Sequence, residues 1–257
     1  MQQSRPEFER NGIQVFALSY DSPETMAKFS AKYDLTYPLL GDPGSQVIRK
    51  LGIVNTEIPE GHQIYGVAYP GSFLLDESGV VIERKFYVDY KVRDVPLAVL
   101  TSEFHLAPAD RSGAVIREGK HVKATAWLDS PTFRTGQVVG LNVEVEIETG
   151  WHTYGEPIPA GMYPTKLTVE PVDGVQITLL PLPKATPLHV AGFDEQLSGY
   201  AGTLPVRAEL TFLGAKQNLT VKATLSYQAC NETNCLPPDK LEFELPIKLL
   251  PHAAAAN

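Results

Sequence analysis

Cysteine is nearly missing from this 257-residue chain: there are two, five positions apart, and residues 1–229 contain none. So few thiols, so close together, suggest one local pair and exclude a disulfide framework. No stretch approaches the roughly 20 apolar residues that a membrane helix requires, and no transmembrane segment is expected. The start, Met1-Gln2-Gln3-Ser4-Arg5-Pro6, is polar and lacks the charged-then-apolar pattern of a signal peptide. Positive charge is also short: 22 Lys and Arg stand against 30 Asp and Glu, a net charge of −8. Binding phosphate needs a basic surface, so a nucleic-acid partner is excluded.

What is present points to two domains. The length suits two cores, and an apolar share of 43% is ordinary for a globular protein. The first hundred residues alternate strand and helix signals. Ile13–Ser19 is a short apolar run of the buried-strand type. Asp21-Ser22-Pro23-Glu24 reads as a helix start, followed by Met26, Phe29 and Tyr33 at helical spacing. Tyr37–Leu40 is a second strand. Asp42-Pro43 opens a helix with Val47, Ile48 and Leu51 on one face, ended by Gly52. Ser72–Leu75 and Val80–Tyr87 form a hairpin joined at Asp76-Glu77-Ser78-Gly79, and a last helix runs from about Arg93 to Glu103. This order predicts an α/β layer fold.

Strands take over after Pro108. Val122–Leu128 and Val138–Ile147 alternate as half-buried strands do. Further runs are Lys166–Val169, Val175–Leu179, Val206–Phe212, Leu219–Tyr227 and Leu241–Ile247. Frequent turns between them, in a chain with 21 Pro and 20 Gly, predict an antiparallel, immunoglobulin-like sandwich. The polar stretch Ala107–Gly119 reads as the connector, dividing the chain into domains 1–108 and 109–257.

NGIQVFALSYDSPE (Asn11–Glu24), YPLLGDPGSQVIRKLGI (Tyr37–Ile53) and YPGSFLLDESGVVIERKF (Tyr69–Phe86) resemble the redoxin branch of the thioredoxin fold, in particular the alkyl hydroperoxide reductase/thiol-specific antioxidant group. The resemblance covers about Gln3–Glu103. It implies an incomplete thioredoxin-like domain, with Pro70 as the cis-proline beside the site where a thiol partner binds. In that family the strand and helix carrying the reactive cysteine precede the segment seen here. Without them, unpaired strand edges and an uncovered apolar face are expected. Without a thiolate this half is expected to be inactive as a peroxidase or thioredoxin.

GWHTYGEPIPAGMYPTKL (Gly150–Leu167), TLPVRAEL (Thr203–Leu210) and LSYQACNETNCLPPDKLEFELPI (Leu225–Ile247) resemble the N-terminal domain of the thiol:disulfide interchange protein DsbD. The resemblance spans about Lys120–Leu249. It implies that Cys230 and Cys235 are the redox pair, and that the partner is a thioredoxin-like protein or a membrane thiol reductant in the periplasm or cell envelope. It also implies that a cap loop shields the pair. By position that loop is Phe193-Asp194-Glu195-Gln196-Leu197, before Tyr200, with Phe193 and Leu197 as the two candidates for the capping side chain. The family's C-terminal cysteine contacts the partner, which favours Cys235.

The residues between the cysteines, Asn231-Glu232-Thr233-Asn234, are polar. A turn of this size can bring the two α-carbons within bonding range. A six-residue ring contributes only about 2 kcal/mol as a staple, whereas an exposed loop leaves sulfur open to exchange. Spacing alone does not separate a redox pair from a passive hairpin disulfide. Three functions are therefore carried forward: an electron relay, a non-catalytic envelope binding module with a structural disulfide, and a fragment of a peroxiredoxin-like antioxidant enzyme. No cofactor is expected. No metal is expected either, because zinc takes four Cys or His ligands and no His neighbours the pair in sequence. Trp151, His152 and Tyr154 read as packing residues.

Overall fold

The computed structural model describes residues 1–106, 111, 113–158, 161–188 and 197–251. The chain forms two compact units, Met1–Ala109 and Asp110–Asn257. No helix among the described residues is long and apolar enough to cross a membrane.

The first unit is α/β. A short 3-10 turn (Gln2–Ser4) leads into α1 (Arg5–Arg10), then β1 (Ala17–Ser19), α2 (Pro23–Lys32), β2 (Leu39–Gly41), α3 (Gln46–Lys50), β3 (Gly71–Leu75), β4 (Val81–Phe86), β5 (Arg93–Asp94) and α4 (Pro96–Ser102). Helix α2 starts where its signals place it: the Ser22 side chain accepts a bond from Thr25 N–H, and Pro23 occupies the first turn. Asp42 Oδ1 and Oδ2 accept from the N–H groups of Gln46 and Ile48 at the start of α3. Gly52, at φ +69°, follows its end. The β3–β4 turn is held by Asp76 Oδ1, which accepts from Ser78 and Val80 N–H, and by Gly79 at φ +80°.

Strands β1 and β2 pair in parallel and β3 and β4 pair antiparallel, as two separate two-stranded sheets. Such narrow sheets cover little apolar surface. Phe16, Leu18 and Leu40 are exposed on or beside the first, and Val80, Val81 and Ile82 on the second. The helices show the same shortage. Met26 is buried, but Phe29 and Tyr33 are exposed against each other, their ring centroids 4.7 Å apart. On α3 only Ile48 is buried; Val47 and Leu51 face out.

The Tyr69–Pro70 bond is trans, which corrects the expected cis-proline. Among the described residues the cis bond joins Glu156 to Pro157. The Pro70 carbonyl accepts from Tyr87 N–H at 2.9 Å, and Gly71 pairs with Phe86. The chain therefore enters β3 already extended.

The second unit is built from strands: β6 (Val115–Gly119), β7 (Val122–Leu128), β8 (Thr132–Phe133), β9 (Gln137–Ile147), β10 (His152–Tyr154), β11 (Lys166–Val169), β12 (Val175–Leu179), β13 (Thr186–Leu188), β14 (Leu197–Tyr200), β15 (Thr203–Phe212), β16 (Leu219–Tyr227), β17 (Ala229–Cys230) and β18 (Asp239–Leu249). One antiparallel sheet runs β12-β15-β9-β7-β6, and a second runs β11-β16-β18-β8 with a parallel β18–β8 edge. Alternation decides which faces turn inward. Leu204, Val206, Ala208, Leu210 and Phe212 of β15 are buried, as are Leu241, Phe243, Leu245 and Ile247 of β18, while Lys240, Glu242 and Glu244 face out. Phe133 from the second sheet stacks on Phe212 of the first, ring centroids 4.0 Å apart, so the inner faces meet. Strand β6 lies inside the stretch read as a polar connector; Val115 to Gly119 pair with Ala126 to Val122. A third, smaller sheet, β13-β14-β10-β17, carries the cysteines.

Candidate functional site: a half-exposed disulfide

Cys230 ends β17, which pairs antiparallel with β10 so that His152 lies opposite Cys230 and Thr153 opposite Ala229. The chain then turns through Asn231–Asn234. Asn231 Oδ1 accepts from the N–H groups of Thr233 and Asn234, and Asn231 N–H donates to the Asn234 carbonyl at 2.9 Å. This Asx-type turn returns Cys235 opposite Cys230, with α-carbons 4.2 Å apart and a bond joining the sulfurs. Beyond it, Leu236 N–H donates to the Ala229 carbonyl at 3.0 Å.

The two cysteines share a bond but differ in environment. Cys230 is wholly buried, in a cluster with Tyr154 and Leu197 against which Ile158, Met162 and Leu188 pack. Cys235 is exposed. Cys235 is thus the cysteine that a nucleophile arriving from solvent meets first.

Side chains two apart on a strand share a face, so His152 and Tyr154 lie on one side of β10 and Thr153 on the other. Thr153 Oγ1 accepts from the Thr165 hydroxyl at 2.8 Å. The His152 and Tyr154 rings meet edge to face, centroids 5.2 Å apart. The Tyr154 hydroxyl lies 3.6 Å from Cys235 Sγ and 3.3 Å from His152 Nε2. Burial pushes the Tyr154 phenol pKa up and the His152 imidazole pKa down, so both are held neutral.

Leu197 and Tyr200, expected in a cap loop, lie instead in strand β14, paired with β10 and β13. Leu197 packs beneath the disulfide, and the Tyr200 hydroxyl donates to the Pro183 carbonyl at 3.0 Å. Along LSGY, Leu197, Gly199 and Tyr200 are buried and Ser198 is half-buried. Phe193, Asp194 and Glu195 lie outside the described residues. Pro70 belongs to the first unit. Reading for packing alone missed Tyr154 as a neighbour of the sulfur. The polar–polar–aromatic alternation His152-Thr153-Tyr154 was the available signal, weak because it spans three residues. Trp151 stacks on His121, centroids 3.6 Å apart.

Fold and site define a β-domain bearing a solvent-facing disulfide, preceded by an α/β unit. Residues 1–84 match the AhpC/TSA family, and residues 124–247 match the family described as Thiol:disulfide interchange protein DsbD, N-terminal. The first match lies within the first unit and the second within the second. Among curated relatives it is 30% identical over 94 residues to the peroxiredoxin-class protein bcp of Haemophilus influenzae, covering 37% of this chain and 59% of that one. It is 29% identical over 85 residues to the thiol-disulfide oxidoreductase ResA of Bacillus thuringiensis, covering 33% and 42%. The chain therefore spans about half the length of these relatives. Among solved structures, the N-terminal periplasmic domain of ScsB from Proteus mirabilis matches at 17% identity and TM-score 0.38, covering 53% of this chain and 50% of that one. The reduced DsbD N-terminal domain of Neisseria meningitidis matches at 21% identity and TM-score 0.29, covering 42% and 78%.

Proposed function

We propose that the chain is a thiol–disulfide exchange protein that relays electrons through Cys230 and Cys235 to or from thioredoxin-like partners, with a membrane thiol reductant as the alternative source of electrons. The observation that carries this reading is the unequal exposure of the two cysteines, Cys230 buried and Cys235 exposed. A partner thiolate attacks Cys235 Sγ. The intramolecular bond breaks, Cys230 leaves as a thiolate, and a mixed disulfide forms at Cys235. The partner's second thiolate then attacks its own sulfur and releases Cys235, leaving this chain reduced by two electrons and the partner oxidised. The reverse sequence delivers the electrons onward.

We read the second unit as an immunoglobulin-like sandwich, supported by its two facing antiparallel sheets. The first unit is read as a thioredoxin-like segment, supported by the parallel β1–β2 pair, the β3–β4 hairpin and the intervening helices. With no cysteine in residues 1–229, the thiol chemistry is assigned to the second unit alone. A periplasmic or envelope location fits a protein whose cysteines are disulfide-bonded.

The test is mixed-disulfide trapping with a thioredoxin-like protein whose resolving cysteine is replaced by serine and whose remaining cysteine is preloaded as its mixed disulfide with thionitrobenzoate, the leaving group that Cys235 displaces. Cys230→Ser, which keeps the outer sulfur, forms the adduct, and Cys235→Ser does not. A wild-type pair that fails to equilibrate with dithiothreitol buffers or with the two-cysteine form of such a partner reduces the disulfide to a structural element.

A further inference from the structure

Resting on that exchange reading, we infer that Tyr154 and His152 form a proton relay to the outer sulfur. As reduced Cys235 becomes the attacking thiolate, its S–H proton passes to Tyr154 Oη while the phenolic proton passes to His152 Nε2.

The geometry is a continuous line of groups, with Cys235 Sγ 3.6 Å from the phenol oxygen and that oxygen 3.3 Å from His152 Nε2. A hydroxyl both accepts and donates, so it can hand on a proton without ever carrying charge. Tyr154 is fully buried, which leaves the relay shielded from bulk water on its inner side. The phenol, its ionisation opposed by burial, conducts rather than stores the proton. The neutral imidazole has a free lone pair on Nε2 when its proton sits on Nδ1, and because burial disfavours the imidazolium it holds the relayed proton only transiently. The backbone fixes the arrangement: His152 and Tyr154 alternate onto one face of β10, and the β10–β17 ladder sets His152 opposite Cys230.

Atoms and charges balance. One S–H bond breaks and one O–H forms; one O–H breaks and one N–H forms; the products are a thiolate and an imidazolium. The thiolate then attacks the partner's disulfide, forming one S–S bond and expelling one partner thiolate. In the opposite direction the imidazolium returns the proton through the phenol as Cys235 is released. Tyr154 touches the reacting sulfur. His152 acts only through Tyr154 and is a positioning residue.

The test uses the reduced full chain and dithiobis(nitrobenzoate), whose coloured thiolate is followed by stopped-flow absorbance at neutral pH. Cys235 attack releases the first equivalent, and attack by Cys230 on the adduct releases the second. Tyr154→Phe keeps the ring and removes the conductor. His152→Gln keeps a hydrogen-bonding group but cannot take up a proton, whereas His152→Ala removes both. Thermal unfolding of each variant verifies the fold. The expected result is that Tyr154→Phe, His152→Gln and their double variant all slow the first release by at least about tenfold, to a common rate. If His152→Gln restores the wild-type rate, or Tyr154→Phe reacts as fast as wild type, the relay is overturned while the exchange function stands. If the wild-type pair itself does not react, both fall together.

Discussion

Gln228 ties the strand before the cysteines to the chain after them by donating its Nε2 hydrogen to the Leu236 carbonyl at 3.0 Å. Its Oε1 accepts from Tyr163 N–H at 3.1 Å, so one side chain brackets the disulfide turn. Gln228→Leu leaves a backbone donor and an acceptor without these partners, at a cost of about 1–3 kcal/mol. Denaturant unfolding should show that loss. Dithiothreitol should also reduce the variant's disulfide faster than the wild type's, because the turn is freer to open.

Asp129 is fully buried and accepts from Arg207 Nη2 at 2.8 Å, Gly140 N–H at 2.9 Å and Asn142 Nδ2 at 2.8 Å. This network links the start of the β7–β9 connection to β15 in the first sheet. Asp129→Ala removes the carboxylate around which a nearly buried guanidinium is organised, and the expected loss is about 3–5 kcal/mol in a urea titration. Replacing Arg207 as well, by Met, should recover part of it, since the residual charge is then gone.

Acid should weaken the second unit through Asp239. Burial alone would push this carboxyl up, but the N–H groups of Lys240 and Lys120 and the Tyr227 hydroxyl outweigh it and hold its pKa below the usual range. A lowered folded-state pKa means the unfolded chain binds more protons. The contribution is therefore complete above the ordinary value of about 3.9 and is lost as pH falls through the folded one. Asp239→Asn should flatten the fall of Tm with acid in that window and change little of its slope at neutral pH.

Reducing the disulfide should leave the second unit folded. The six-residue ring adds only about 2 kcal/mol by chain entropy, against a core that includes Phe133, Phe212, Phe243, Leu210 and Ile247. Unfolding curves with and without dithiothreitol should remain cooperative and differ by about that amount. A chain that unfolds on reduction could not act as a carrier of electrons.

Legibility in the sequence followed element length and pattern. β7, β11, β12 and β16 run between the residues at which their alternation starts and stops. Long amphipathic strands advertise themselves because every second residue must be apolar. The strands β10 and β17, of three and two residues, are too brief for any period to register, and both lie in the sheet that carries the site. β10 is also the strand that brings Tyr154 to the sulfur. The pair Cys230 and Cys235 was readable from its isolation and spacing; the burial of one and the exposure of the other was not, since it depends on Leu197, Ile158, Met162 and Leu188 packing from distant segments. In the first unit the helical spacing of Phe29 and Tyr33 was correctly seen as apolar, but burial needs an opposing surface, and the two-stranded β1–β2 sheet is too small to supply it for both.

The tight turn between Cys230 and Cys235, with α-carbons 4.2 Å apart, bears on how long any adduct can last. A thiolate tethered that close to its target attacks as though present at a very high effective concentration. A molecule captured at Cys235 will be ejected almost as soon as it is bound, unless its own second thiol releases Cys235 first. Partners that carry two thiols complete the exchange, and those with one are returned unchanged, so the turn itself sorts dithiol from monothiol.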